Sequence, residues 1–197
     1  DTAIESDKGV LVNAFFETNI PDVYAIGDCA QHRDPLPGRK PVEQVWYTGR
    51  IQGETLARTL TGEKKAYQPG PWFNSAKFFD IEYQTYGEVP PDVAVAGNSV
   101  YWQDDRGRRA IRLVYDGDDL SLKGVNLLGV RFRHEVCDRW IMEKKTIHEV
   151  MQVIEGFDAE FSPDPLNGLR SSYQKQFPDH QLPQTTKKGL FSFFSSN

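Results

Sequence analysis

The sequence is poor in cysteine and has no long apolar run. Two cysteines occur in 197 residues, Cys29 and Cys137; they form no Cys-x-x-Cys motif, which favours a reducing compartment and hence the cytoplasm. None of the four histidines pairs with a cysteine at metal-ligand spacing, so we predict no metal site. No stretch approaches the length of a transmembrane helix and no signal peptide is visible, so association with a membrane is not expected.

Charge and composition narrow the class of protein further. The chain carries 28 acidic and 23 basic side chains, a net charge of −5, which argues against nonspecific binding to nucleic acid. Apolar residues make up 39% and aromatic residues 12% of the chain, as in a globular protein with a substantial core. The length predicts one or two domains.

A turn, a short apolar run and a Gly-Asp pair follow one another between Thr18 and Asp28. Residues 23–26, Val-Tyr-Ala-Ile, are apolar without alternation, which predicts a strand covered on both faces, as in a parallel sheet. Asp28 would follow the carboxyl end of this strand, where open α/β sheets bind ligands and a carboxylate can accept hydrogen bonds from sugar-like hydroxyl groups. Gly27, which has no Cβ, lets the backbone approach a ligand closely. A strand end followed by an ordinary turn is the alternative.

This segment resembles the second FAD motif of the pyridine nucleotide-disulfide oxidoreductase superfamily, Thr-x6-Ala-x-Gly-Asp, through Thr18, Ala25, Gly27 and Asp28. The resemblance implies that Asp28 holds the ribityl chain of FAD. Cys29 adjoins it, but a neighbouring carboxylate disfavours a thiolate, so we expect a small buried side chain there and not a reactive thiol.

A helix is predicted from about residue 43 to residue 60, after a proline-rich connection. In the family, the amino end of this helix points at the flavin, where its free N–H groups and partial positive charge stabilise negative charge on the reduced ring. The resemblance implies that the backbone amides around Val45 and Trp46 are the groups that contact the flavin. Trp46 and Tyr47 could flank the flavin or be buried core aromatics. Gly49 and Gly53 form a small-residue pair that would let the helix lie close to a neighbour.

The glycine-rich nucleotide turns of a complete reductase are missing from the sequence. No Gly-x-Gly-x-x-Gly turn occurs for the FAD pyrophosphate or for a nicotinamide cofactor, NAD(P)H. We therefore expect the carboxy-terminal part of a longer enzyme, partnered by its amino-terminal remainder and unable to catalyse hydride transfer alone. The His-Pro-Thr segment of dithiol-using relatives is also missing, which lowers the odds of disulfide reduction. No catalytic residue is assigned.

The fold class that we predict is α+β, the end of an FAD-binding α/β domain followed by an antiparallel sheet domain covered by helices. The predicted division is the FAD-binding part at 1–62, a linker at 63–71, a reductase or interface domain at 72–168 and a flexible tail at 169–197. Alternation and turn signals predict strands and two helices in the second domain. The strands are expected at 77–88, 92–103, 108–115 and 120–130 as an antiparallel meander, and the helices at 135–144 and 147–154.

The second domain resembles the carboxy-terminal domain of the ferredoxin, rubredoxin and nitrite reductase branch of the superfamily. The match is Pro-Trp-Phe-Asn-Ser at 71–75, followed by a strand that ends in Gly87. Relatives often place an aromatic residue from this segment over the flavin. Asn74 stands where a second Trp is frequent in the family, so Trp72 or Phe73 is the candidate for this contact with the flavin.

Two further features concern partners. Arginines cluster around residues 106–112 and 131–139; they could steer an acidic electron carrier such as a ferredoxin or rubredoxin, or form a solvated face with local ion pairs. Residues 189–194 carry three phenylalanines after a Lys-Lys pair, which suggests docking on the same or a neighbouring subunit, or a weak contact with a membrane surface. A homodimer is expected.

The function that follows is part of a flavoprotein oxidoreductase that passes electrons from NAD(P)H through FAD to a protein or small-molecule acceptor. A non-catalytic dimerisation module and a peripheral membrane NADH:quinone reductase are the alternatives.

Overall fold

A computed structural model describes residues 3–92, 98–154 and 164–183 of the chain. Its first part holds a two-stranded parallel sheet, β1 (Val10–Val12) and β2 (Ala30–His32), and the helix α1 (Trp46–Leu60). The predicted helix over 43–60 is thus confirmed except for its first turn. Gly62, with φ at +98°, follows the last turn in a conformation that suits glycine. A small core joins these elements through the buried side chains Val12, Phe16, Ala30, Leu56 and Tyr67.

The predicted strand over residues 23–26 is wrong. Tyr24 forms a single antiparallel bridge with Glu17, and the segment folds back on its own neighbours, with Ala25 donating its N–H to the Phe16 carbonyl at 3.1 Å. The parallel partner of β1 is β2, which begins after Gly27 and Asp28 and not before them. These two residues therefore lead into a strand. The apolar run before them is half-buried, and it forms its backbone hydrogen bonds with nearby residues and not with a sheet.

The second part is a five-stranded antiparallel sheet formed by β3 (Phe73–Phe78), β4 (Ile81–Gly87), β5 (Ser99–Gln103), β6 (Ala110–Tyr115) and β7 (Leu122–Leu128). The strand order is β3-β4-β7-β6-β5, which confirms the predicted antiparallel sheet. The predicted single strand over 77–88 is instead a hairpin whose turn is Phe79-Asp80, a sequence without the glycine or asparagine that usually marks a tight turn. The last three strands form the expected meander, but β7 then pairs with β4.

Helices α2 (His134–Met142) and α3 (Ile147–Val153) contribute to the same core as the sheet, as predicted. Alternate strand residues point toward this core, so one face of the sheet is apolar while the other carries polar side chains. On the polar face, Asn126 donates to Thr85 Oγ1 at 2.7 Å. The apolar face is formed by Tyr86, Ile111, Leu113, Val125 and Leu127, all fully buried.

A fourth helix, α4 (Asp164–Gln176), corrects the prediction of a flexible tail from residue 169. Its Leu166, Leu169 and Tyr173 recur at helical spacing and are buried in the main core, so a mostly polar composition concealed an apolar stripe. The helix packs on β5, where Gly168 meets the indole of Trp102. The Phe-rich segment at 189–194 lies outside the described residues. Among the described helices, none is long and apolar enough to cross a membrane.

Candidate functional site

The turn that contains Gly27 lies directly against α1. Gly27 donates its backbone N–H to Oε1 of buried Gln52 at 2.6 Å. A Cβ placed on Gly49 would lie 3.7 Å from the Gly27 Cα, and one on Gly53 would lie 3.8 Å from Ile26 Cδ1. The small-residue pair of α1 therefore faces this turn, and larger side chains would hold the helix away from it.

Gly27 and Asp28 form an open surface at the start of a 3₁₀ turn. Gly27 has φ at +75°, a conformation that other residues adopt only with strain, and no atom beyond its chain neighbours lies within 4 Å of the place where its Cβ would be. The residue is thus required by its backbone conformation, and a ligand can approach it. Asp28 is exposed, so its carboxylate is available to a hydroxyl-bearing ligand.

The amino end of α1 has no side-chain cap. Val45 is extended, with φ at −133°, and the first helical hydrogen bond runs from the Gly49 N–H to the Val45 carbonyl at 3.0 Å. The preceding N–H groups of the first turn have no partner within the helix, and the turn contains no acidic residue that would offset the helix dipole. This end is therefore suited to an electron-rich group.

A cleft of about 400 Å³ lies between the segment that precedes α1 and the ends of β3 and β4. The cleft therefore has the amino end of α1 on one side and the antiparallel sheet on the other. Trp72 lines the cleft, whereas Phe73 packs away from it, with its ring 4.7 Å from Tyr47 and 4.8 Å from Tyr86. Of the two aromatic candidates, Trp72 is the one placed to reach a ligand. The cleft is lined by Gly38, Lys40, Val42, Glu43, Gln44, Val45, Trp72, Thr85, Gly87 and Val89.

Trp46 and Tyr47 have different surroundings despite being adjacent. Trp46 is 69% exposed, so its interpretation as a core aromatic is wrong. Tyr47 joins the two parts of the chain, because its hydroxyl lies 3.0 Å from Ser75 Oγ on β3. The guanidinium of Arg50 lies 5.9 Å from the Trp46 ring, one turn along α1.

A buried ion pair that sequence reasoning missed holds the segment before α1. Arg39 and Glu43 share two hydrogen bonds of 2.7 Å, and their side chains are only 9% and 4% exposed. Arg39 also donates to the Gly70 carbonyl at 3.1 Å, which ties this segment to the predicted linker. The Arg-x3-Glu spacing is common on protein surfaces, so the sequence pattern alone does not show that this pair is buried.

His32 and Tyr67 stack beside this pair, with ring centroids 5.1 Å apart. Burial is the main cause that lowers the pKa of His32 from its ordinary value, and the charge of Glu43 opposes it. The ring is therefore neutral near pH 7, and it adds no positive charge next to Arg39.

The two cysteines differ in exposure. Cys29 is exposed, which corrects the expectation of a buried side chain; the turn directs it outward, and its thiol lies 3.4 Å from the Ile26 carbonyl. Cys137 is buried in α2, where desolvation raises the pKa of its thiol well above the usual range. Within the three described ranges, no group of three histidine, cysteine or acidic side chains could hold a metal ion.

The chain is similar in sequence to several reductases. It is 32% identical to the ferredoxin-NAD(P)(+) reductase of Sphingomonas sp. over 62% of this chain and 29% of that protein. It is 34% identical to the rubredoxin-NAD(+) reductase of Acinetobacter baylyi over 64% of this chain and 29% of that protein. The chain thus spans less than a third of the length of these relatives. No model of a known protein family matches the sequence.

The fold has counterparts among solved structures. An NAD-dependent persulfide reductase from A. fulgidus superimposes with a TM-score of 0.62 at 16% identity, covering 89% of this chain and 36% of that one. At this identity the likeness concerns the fold alone. The sequence relatives confirm the resemblance read from the Gly27-Asp28 motif, since the proteins that this chain is similar to are reductases named for ferredoxin and rubredoxin.

Proposed function

We propose that this chain forms part of the flavin site of an FAD-dependent NAD(P)H oxidoreductase, with an amino-terminal remainder that supplies the nucleotide turns. The observation that carries the proposal is the packing of the Gly27-Asp28 turn against α1 beside the uncapped helix end. FAD, when bound, supplies the transfer of electrons between a nicotinamide and an acceptor. The relatives named for NAD(P)(+) and NAD(+) support this class of activity.

The residues present fit such a cofactor. Asp28 would accept hydrogen bonds from the ribityl hydroxyl groups, because its carboxylate is exposed on the open side of the turn. The free N–H groups that follow Val45 would donate to the pyrimidine end of the ring and stabilise negative charge there. Trp72 in the adjoining cleft would cover one face of the ring and exclude water.

The division into two domains is proposed on the same grounds. Residues 72–168 would close over the ring, while residues 1–62 hold its sugar-alcohol chain. Tyr47 and Ser75 bridge the two parts by a 3.0 Å hydrogen bond, so the relative position of Asp28 and the cleft depends on this contact as well as on α1. The Arg39–Glu43 pair supports the segment that leads into the helix.

An acidic electron carrier of the ferredoxin or rubredoxin class is the proposed acceptor, supported by the names of the relatives. Trp46 stands at the start of α1 and is 69% exposed, and an exposed aromatic side chain there suits contact with a protein partner. A homodimer and a cytoplasmic location complete the proposal.

Retention of FAD by the intact protein tests the assignment. Asp28→Ala should lose most of its flavin absorbance on gel filtration, whereas the neighbouring Cys29→Ala should keep it. Equal retention in the two variants rejects the role of Asp28. An intact wild-type protein that is colourless and does not oxidise NADH with ferricyanide rejects the oxidoreductase and favours a dimerisation module.

A further inference from the structure

The β3–β4 hairpin ends in an exposed apolar apex. Phe78 and Ile81 lie directly opposite each other across the two strands, and they are 63% and 61% exposed. Phe79, in the turn between them, is 96% exposed. Three large apolar side chains therefore project from one tip, which is more than isolated surface residues normally contribute.

Folding alone does not account for Phe79. Its φ is +52°, in the left-handed region where a bulky side chain is strained and where glycine or asparagine forms the same turn at lower cost. A strained residue whose side chain contacts almost nothing within its own chain is better explained by a contact outside it.

The sheet places this apex among basic side chains. The strand register brings the turn at 79–80, the turn at 104–109 and the segment at 129–133 to the same end of the sheet. The stretches 77–82, 104–110 and 128–133 hold six basic and four acidic side chains, whereas the chain as a whole has a net charge of −5. Glu82 pairs with Arg131 and Asp104 with Arg109, so these charges offset one another. Arg106 and Arg108 are exposed, as are the two remaining acids, Asp80 and Asp105, and the balance at this end of the sheet stays basic.

This end of the sheet is remote from the cleft beside α1. Trp72 and Gly87, which line that cleft, stand at the opposite ends of β3 and β4 from Phe79, a full strand length away. A contact at the apex would therefore leave the cleft open.

We propose that the hairpin apex is a docking point for an anionic lipid surface, a property that goes beyond the proposed redox function. The apex is convex, so a rigid protein partner would need a matching pocket, whereas a bilayer interface deforms around inserted aromatic rings. Arginines set around the apex would meet lipid phosphates while Phe78, Phe79 and Ile81 enter the acyl boundary.

Vesicle flotation of the full 197-residue chain tests this. Wild type should float with phosphatidylglycerol-phosphatidylcholine vesicles and bind pure phosphatidylcholine vesicles about tenfold more weakly. About 0.5 M salt should release it, because salt screens the electrostatic part of the contact. Phe79→Ser and the pair R106E and R108E should each lower binding about tenfold. Leu60→Ser, which removes a 61% exposed apolar side chain on α1, and the pair K8E and K65E are the controls and should bind as wild type.

Several results would overturn the proposal. These are no flotation of wild type, equal loss in the control variants, or loss on truncation after Gly189 with no effect of Phe79→Ser. If Phe79→Ser instead abolishes a dimer in sedimentation equilibrium, or retention on polyglutamate resin, while vesicles bind neither protein, the apex serves a second copy or an acidic protein. Circular dichroism of each variant separates these outcomes from misfolding.

Discussion

Gln52 accepts a hydrogen bond of 2.6 Å from the backbone N–H of Gly27, and this bond fixes the turn of Asp28 to the second turn of α1. Gln52 is almost fully buried, and its side chain also forms a hydrogen bond with Tyr67. Two segments that lie 25 residues apart in the sequence are thus held together, so that the Gly27-Asp28 turn lies against the first two turns of α1.

Replacement of Gln52 by Met should therefore leave the Gly27 N–H without an acceptor in a partly buried place. We expect a loss of about 1–3 kcal/mol in the free energy of unfolding, and weaker FAD retention by the intact protein. Urea denaturation measures the first effect and flavin absorbance the second. Arg58→Met, on an exposed face of the same helix, is the control; an equal change in both variants would show that the hydrogen bond has no special role.

The Arg39–Glu43 pair should behave differently from a surface pair of the same spacing. Arg39→Met leaves a buried carboxylate unpaired and should cost about 3–5 kcal/mol, whereas the double variant with Glu43→Met should recover most of the loss. Arg50–Glu54 has the same i,i+4 spacing but is exposed, so Arg50→Met should cost under about 1 kcal/mol. Equal losses at the two pairs in thermal unfolding would contradict this.

Stability should fall in mild acid because of His148. Its ring stacks on His180 at 3.7 Å, and its Nδ1 lies 2.7 Å from the Tyr173 hydroxyl. Burial is the main cause that lowers the pKa of His148, and the charge of His180 lowers it further. The folded protein therefore binds fewer protons there than the unfolded chain does, so this contribution is complete above the unfolded pKa of about 6.5 and is lost as the pH falls through the folded value.

His148→Gln should flatten this acid dependence while keeping a hydrogen-bonding group near Tyr173. The urea midpoint between pH 7 and pH 5 measures it. His134→Gln is the control, since that ring packs on Phe73 and lies outside the stacked pair. An unchanged slope in His148→Gln would refute the assignment.

Gly168 should not tolerate a side chain although it lies within α4. A Cβ there would overlap the Trp102 indole, so Gly168→Ala should push the helix from β5 and cost about 1–3 kcal/mol, despite the higher helix propensity of alanine. Ser171→Ala, one turn further along, should change stability by less than about 0.5 kcal/mol. Differential scanning calorimetry compares the two; a more stable Gly168→Ala would show that the contact relaxes freely.

The sequence predicted those parts of the fold that depend on local pattern. The helix α1, the strands β6 and β7 and the helices α2 and α3 carry clear periodicity and sit close to their expected bounds. The hairpin turn at Phe79 was missed because a strained aromatic replaces the usual turn residue, and α4 was missed because its apolar stripe is short within a polar segment.

The spacing of Thr18, Ala25, Gly27 and Asp28 was sufficient to predict the resemblance to reductases that the sequence relatives confirm. Tertiary structure alone decided that β2 pairs with β1, that β7 returns to β4, and that Gln52 and Gly49 face the Gly27 turn. Periodicity reports which side of an element is apolar, because it depends on neighbours in the chain. Which elements meet depends on the shape and hydrogen-bonding capacity of surfaces far apart in sequence, and these exist only after folding.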